Sequence, residues 1–359
     1  MAIILARRGA PATRLERTVI QDESYLQRYI YENPDVLPLD QLQEDIRPLV
    51  LVREFPTPSG PIDALATDAD GNLYLIETKL YKNPDKRLVL AQVLDYGAAL
   101  WKAYPDPDDF VTRLDSLMRE SGGKGLLPRV EGSFGLEGQD ATDFLGNLKG
   151  IIQSGEFRFV VLMDRVDDRL RDLISYVNVN SSFRILGVAL DFYKASDFDI
   201  LIPTLHGGET KKSTGSTASA RRTWDSQSFF ADASARLPES GLAAVRAVHD
   251  AAASNGCELS WGTGAQNGSF NVKDSTLCQR SLLSVYTNGK LCLNFAWLNE
   301  NDRAKAVRDR FIQLAVERLK LPSADYRDKY LNLQIDEWQG KSSEIVRLLA
   351  DLLKEFRAA

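Results

Sequence analysis

The chain has 359 residues, 44 % of them hydrophobic and 26 % charged, with a net charge of −6. That length exceeds what one compact core usually holds, so two domains are expected, of ordinary globular composition. No stretch approaches the roughly 20 apolar residues of a membrane span, and the acidic balance carries no global nucleic-acid signature, so any such binding must come from local patches.

Cys257, Cys278 and Cys292 are an odd number without paired spacing. They read as reduced residues of a cytoplasmic protein, not as a disulfide frame or a zinc site. The run Ala2 to Ala6 is too short for a signal-peptide core and is followed by Arg7 and Arg8. His206 and His249 are the only histidines, and neither has a nucleophile or metal partner nearby in sequence. Histidine-rich metal centres and triads with a histidine base are therefore disfavoured. Carboxylates, lysine and hard cations must carry any chemistry.

In chain order, Glu16 to Glu32 reads as a helix stopped by Asn33-Pro34. A strand is predicted around Pro48 to Phe55. Ile62 to Thr67 and Asn72 to Lys79 are two further strands, joined by Asp68-Ala69-Asp70-Gly71, a hairpin signal. Leu88 to Lys102 and Phe110 to Arg119 are helical, and glycine-rich Gly122 to Gly138 reads as a mobile insertion, within a divergent stretch of about residues 104–140. From Asp140 the pattern runs helix, strand (Phe157 to Met163), helix (Asp168 to Val179), strand (Phe183 to Tyr193). Such alternation requires an α/β layer with a mixed sheet. Gly207 to Thr223 is poor in apolar residues and rich in Ser, Thr, Gly and Lys, so residues 207–225 are expected to be a linker. Charge divides there too: residues 1–206 carry 23 basic and 32 acidic side chains.

The hairpin is the informative feature. If Ala69-Asp70-Gly71 is a three-residue loop with Gly71 left-handed, Asp68 pairs with Asn72 and Asp63 falls opposite Glu77. Glu77 and Lys79 share a face because side chains alternate along a strand. A loop one residue shorter or longer would separate the carboxylates. Two adjacent carboxylates repel unless a cation or proton lies between them. Mg²⁺ suits such oxygen ligands, and a nearby ammonium can stabilise a phosphate in reaction. The competing reading is a surface hairpin with an incidental Glu77–Lys79 ion pair. Two other features bear on the choice. Glu23 shares a helical face with Leu26, Gln27 and Ile30, where an unpaired charge would be costly. Gln92 and Tyr96, four apart on the next helix, project toward a common point.

The order Glu23, Pro61-Ile62-Asp63, Glu77-Thr78-Lys79, Gln92-x-x-x-Tyr96 resembles the PD-(D/E)XK nucleases, in particular their RecB-like branch. The segments Glu54 to Asp63, Asn83-Pro84-Asp85 before Arg87, and Phe159 to Tyr176 with Asp164 are similar to prokaryotic members of that superfamily. The resemblance spans roughly residues 16–204 and departs in having Ile62, not proline, before Asp63. It implies a restriction-endonuclease-like mixed sheet flanked by helices and Mg²⁺ (or Mn²⁺) as cofactor. Asp63, Glu77 and the main-chain carbonyl of Thr78 would be metal ligands, Glu23 a helix-borne carboxylate binding metal directly or through water, and Lys79 the catalytic lysine. Gln92 and Tyr96 would position substrate, with DNA expected ahead of RNA. Glu54, near Asp63 in sequence, is expected to pair with Arg53 or Arg87 outside the site.

Residues 226–359 read as a smaller α+β domain for recognition or assembly, through a partner protein or a second copy. Ser281 to Tyr286 and Lys290 to Trp297 flank the hairpin signal Thr287-Asn288-Gly289, and helices are expected over Asp302 to Leu319 and Ser342 to Phe356. Trp261, Phe270, Phe295, Trp297 and Trp338 are read as core ahead of a base-stacking platform. Lys211, Lys212, Arg221 and Arg222 could touch phosphates but read first as solvated linker charges. A nuclease is thus the expected function. A binding component that keeps the fold without cleaving is the alternative.

Overall fold

A computed structural model describes residues 2–6, 12–42, 46–83, 88–136, 139–181, 183–195, 198–208, 224–262, 267–322, 324–327 and 329–357. The chain forms two compact units, divided between Ala218 and Ser219. Most of the expected linker, with Lys211, Lys212, Arg221 and Arg222, lies outside the described residues, as does Arg87.

The first unit opens with β1 (Ile3–Leu5) paired to β2 (Thr13–Leu15), then α1 (Glu23–Glu32). It continues through β3 (Leu49–Phe55), β4 (Ile62–Thr67) and β5 (Leu73–Lys79). Four helices follow: α2 (Val89–Ala103), α3 (Pro107–Glu120), α4 (Leu126–Phe134) and α5 (Gln139–Ser154). Then come β6 (Arg158–Met163), α6 (Asp168–Asn180), β7 (Arg184–Lys194) and β8 (Asp199–His206). Strands β3 to β8 make one six-stranded sheet in sequence order. The pairs β3–β4, β4–β5 and β7–β8 are antiparallel, whereas β5–β6 and β6–β7 are parallel, with helices spanning the crossovers.

Central strands carry apolar residues on both faces, as parallel strands covered by helices on both sides must. Leu73, Leu75, Phe159 and Val161 pack with Val93, Tyr96 and Leu100 of α2. Tyr74, Ile76, Val160 and Leu162 pack with Leu26 and Ile30 of α1. By alternation Glu77 falls on the α2 face. Helix α2 approaches closely because position 97 is glycine: a Cβ there would lie 2.6 Å from Cζ of Phe159.

The turn between β4 and β5 forms around one buried carboxylate. Asp68 Oδ1 accepts the N–H of Asp70 (3.1 Å) and of Asn72 (3.1 Å), and Asp68 Oδ2 accepts the hydroxyl of Tyr74 at 2.8 Å. Arg158 Nη1 donates to Asp68 Oδ2 at 3.0 Å and also to the Tyr74 hydroxyl. Gly71 sits at φ +76°, and the register runs Thr67↔Leu73 to Ala64↔Ile76. Asp68 is thus level with Asn72, and Asp63 with Glu77.

Several sequence expectations are corrected. The first helix starts at Glu23, not Glu16. Arg17 instead bridges Tyr193, the Thr18 N–H donates to the Phe192 carbonyl, and the Asp22 side chain caps the helix at Tyr25 N. Within Gly122 to Gly138, read as a mobile insertion, lies helix α4, whose Leu126, Val130 and Phe134 are buried at four-residue spacing. Strand β8 goes unpredicted because its mixed exposure and Pro203 suit an edge strand, which lacks a strong apolar signal.

The second unit comprises α7 (Ser226–Arg236), α8 (Glu239–Ser254), β9 (Glu258–Trp261), β10 (Ser269–Lys273), β11 (Leu283–Tyr286), β12 (Leu291–Leu293), α9 (Asp302–Leu319), β13 (Leu331–Leu333), α10 (Ile335–Trp338) and α11 (Ser342–Arg357). Its five strands form an antiparallel sheet, ordered β13-β12-β11-β10-β9. Phe270, Val285 and Leu291 pack with Val248 of α8, Phe311 of α9 and Leu349 of α11. Phe270, Phe295 and Trp338 are fully buried, and the Trp338 ring N–H donates to the Gly289 carbonyl at 2.9 Å, so these three are core and not a stacking platform. The strand expected over Lys290 to Trp297 ends at Leu293, and Phe295–Trp297 is a 3₁₀ turn. Among the described residues no helix is long and apolar enough to cross a membrane.

Candidate active site at the end of strand β5

Ligand sites in open α/β sheets gather beyond the carboxyl ends of parallel strands, where helices and loops converge. The end of β5 carries Glu77, Thr78 and Lys79. The pairing of β4 with β5 stops at Ala64↔Ile76. Past that point the Asp63 side chain replaces a ladder carbonyl: Asp63 Oδ2 accepts the Thr78 N–H at 2.7 Å and the Thr78 hydroxyl at 2.6 Å. These bonds turn the Asp63 carboxylate toward β5 and leave Oδ1 for other contacts.

Glu77 is only 2 % exposed, and its Oε2 is buried with no hydrogen-bond partner among the described residues. Lys79 Nζ lies 3.8 Å from Glu77 Oε1 and 4.0 Å from Glu23 Oε2. Burial, and next the negative charge of Asp63, push the Glu77 carboxyl up from 4.5 to about 8 against the pull of Lys79. Burial also raises the Asp63 carboxyl, in opposition to its two bonds from Thr78. The site therefore stores a deficit of positive charge.

Glu23, at the start of α1, accepts the N–H of Leu80 (3.0 Å) and the Asn83 side-chain amide (3.3 Å), both through Oε1. Gln92 Nε2 donates to the Tyr96 hydroxyl at 2.8 Å. Burial raises the Tyr96 phenol, and the charges of Glu77, Asp63 and Glu54 add to the rise, so its hydroxyl stays protonated beside the acids. The structure thus brings Glu23, Asp63, Glu77, Thr78, Lys79, Gln92 and Tyr96 to one place.

Glu54, expected to pair with Arg53 or Arg87 outside the site, also feels the charge of Asp63. Its carboxyl, on a residue exposed as a whole, is raised by partial desolvation and then by the charge of Asp63, while Arg53 and a hydrogen bond from Gln27 oppose the rise. It adopts φ +53°, a left-handed backbone unusual for glutamate. Strand β3 pairs Arg53↔Ala64 and Phe55↔Ile62, so the residues between them, Glu54 and Asp63, lie opposite each other.

Among the described residues no three His, Cys, Asp or Glu side chains are grouped so as to hold a metal by themselves. A cation here would need the Asp63–Glu77 pair completed by main-chain oxygen and water. The donor set fits one: hard carboxylate oxygens, one of them buried without a partner, at a point lacking positive charge. No family model matches the chain, and no curated protein or solved structure matches it.

Proposed function

We propose that the protein is a divalent-cation-dependent nuclease with the PD-(D/E)XK, restriction-endonuclease-like fold, hydrolysing phosphodiester bonds of DNA in preference to RNA. The observation that carries this reading is Glu77. An acid only 2 % exposed, with an unpartnered oxygen beside a second carboxylate and a lysine, is a poor structural element and a good cation seat. Asp63 and Glu77, with the Thr78 carbonyl, would hold Mg²⁺ or Mn²⁺. When bound, such an ion supplies Lewis acidity to the phosphate and acidifies a coordinated water.

The chain's own groups do the rest. Thr78 fixes the Asp63 carboxylate through two bonds. Lys79, with its side chain 12 % exposed, offers an ammonium already desolvated and aimed at the acids, where it can balance charge developing on a phosphate oxygen. Tyr96 receives its hydrogen bond from Gln92, which leaves the hydroxyl proton free for a phosphate oxygen.

One observation favours a second reading. A proton on Glu77, whose carboxyl is raised to about 8, would also relieve the repulsion, and this suits a nucleic-acid- or protein-binding component that keeps the fold without cleaving. Plasmid DNA, single-stranded DNA and RNA incubated with the full chain in Mg²⁺, Mn²⁺ or EDTA separate the two. The nuclease reading expects cleavage in Mg²⁺ or Mn²⁺ and none in EDTA; intact substrates throughout would favour the binding component.

A further inference from the structure

We propose that Glu23 is a positioning residue that fixes Lys79 by clamping the loop after β5, and that it does not serve as a cation ligand. This rests on the nuclease reading for the role of Lys79, but the clamp itself does not.

The bonding of Glu23 carries the proposal. Its Oε1 is already taken by the Leu80 N–H at 3.0 Å and the Asn83 amide at 3.3 Å. Leu80 is the residue directly after Lys79, so this bond pins the peptide that carries the lysine. The remaining oxygen, Oε2, faces Lys79 Nζ at 4.0 Å. Lys79 is thereby held between Glu77 and Glu23, at 3.8 and 4.0 Å, instead of collapsing onto Glu77 alone.

The described start of this loop, Leu80 to Asn83, makes further contacts. Asp164, at the exit of β6, accepts the Tyr81 N–H through Oδ1 at 2.6 Å. Lys82 Nζ donates to the Gln21 carbonyl at 2.8 Å, and the Asn83 N–H closes a turn on the Leu80 carbonyl at 2.9 Å. Arg165 lies over the Tyr81 ring, 4.7 Å from its centroid. Glu23 comes from the first turn of α1, itself capped by Asp22 through Tyr25 N, so the clamp stands on a fixed element. A carboxylate with one oxygen spent on a backbone N–H and the other facing an ammonium is placed to orient that ammonium.

Glutamine at this position keeps the Oε1 acceptor and loses the charge, whereas alanine loses both. The test compares the full-length protein with Glu23→Gln and Glu23→Ala by three measurements: amide hydrogen exchange over Leu80 to Asn83, Mn²⁺ titration calorimetry, and DNA cleavage kinetics in Mg²⁺. Positioning predicts faster exchange in the alanine variant, restored by glutamine. It predicts Mn²⁺ affinity within about threefold of the wild type in both variants. The alanine variant should lose about 10- to 100-fold in kcat with KM for DNA unchanged, and glutamine should recover most of that loss. A larger loss of Mn²⁺ affinity in both variants would overturn the proposal, because Glu23 would then act on the cation. Unchanged exchange in Glu23→Ala would overturn it too. If Glu23→Ala does not fold, the Mn²⁺ affinity of Glu23→Gln decides alone. A wild type that neither binds Mn²⁺ nor cleaves would sink the nuclease reading, and the exchange arm would still decide the clamp.

Discussion

Glu77→Gln isolates the carboxylate pair. In the metal-free protein, burial and Asp63 push the Glu77 carboxyl from 4.5 to about 8. A folded value above the unfolded one means that the native chain holds a proton that the unfolded chain has released. The stability from this group is complete below pH 4.5 and is lost as pH climbs through about 8. At about 1.4 kcal/mol per unit, the ceiling on that loss is about 5 kcal/mol, of which about 4 falls between pH 5 and 8. Asp63, also raised, acts in the same direction. Glutamine fills the same space and cannot ionise, so the variant should show a flatter dependence. For a unit of this size 1 kcal/mol moves Tm by about 2–4 °C, so the wild type in EDTA should lose roughly 8–16 °C relative to the variant between pH 5 and 8. Scanning calorimetry at four pH values, in EDTA and then in Mg²⁺, reads this directly. Saturating Mg²⁺ at pH 8 should restore the wild type and leave Glu77→Gln unmoved. Parallel slopes for the two proteins in EDTA would show that Glu77 is not the group that titrates.

Three further outcomes are expected. Gly71→Ala should cost roughly 2–4 kcal/mol in urea unfolding, since it adds left-handed strain and a Cβ 2.5 Å from the Phe144 carbonyl oxygen; Gly71→Asn should fare no better, because it shares that Cβ. Arg158→Ala should cost about 3–5 kcal/mol by leaving Asp68 buried without its cation, read by the same unfolding curve. A fragment ending at Ala218 should fold, bind Mg²⁺ and keep salt-sensitive cleavage, whereas one ending at Pro203 cuts β8 within its pairing to Leu190 and should melt lower.

The parts of the fold legible in the sequence were those with local causes. Gly71 and Asp68 define the β4–β5 turn, and its three-residue length places Asp63 level with Glu77. The β5 and β6 runs read as strands, and the structure shows apolar residues on both faces of each. Glu16 to Asp22 was misread because its charges and apolar residues mimic a helical stripe. The chain there pairs instead with β7 through Arg17 and Thr18, a contact made across more than 170 residues. Glycines over 122–138 masked α4, whose stability comes from the burial of Leu126, Val130 and Phe134 and not from helix propensity. Glu54 was missed because its proximity to Asp63 depends on the β3–β4 register, and the Glu23 contacts depend on the path of the loop after Lys79. Neither is encoded in spacing along one element.

The proposed function requires that Lys79 act on the reacting phosphate beside a cation-binding carboxylate pair. The most direct measurement is DNA cleavage in Mg²⁺ by the wild type and Lys79→Ala, with DNA affinity of both measured in Ca²⁺ at the same salt concentration. A loss in rate of at least about 100-fold with affinity nearly intact is expected, because the ammonium is worth most in the transition state. Cleavage by Lys79→Ala at the wild-type rate would make Lys79 a structural ion-pair residue between Glu23 and Glu77 and rule out its part in the chemistry.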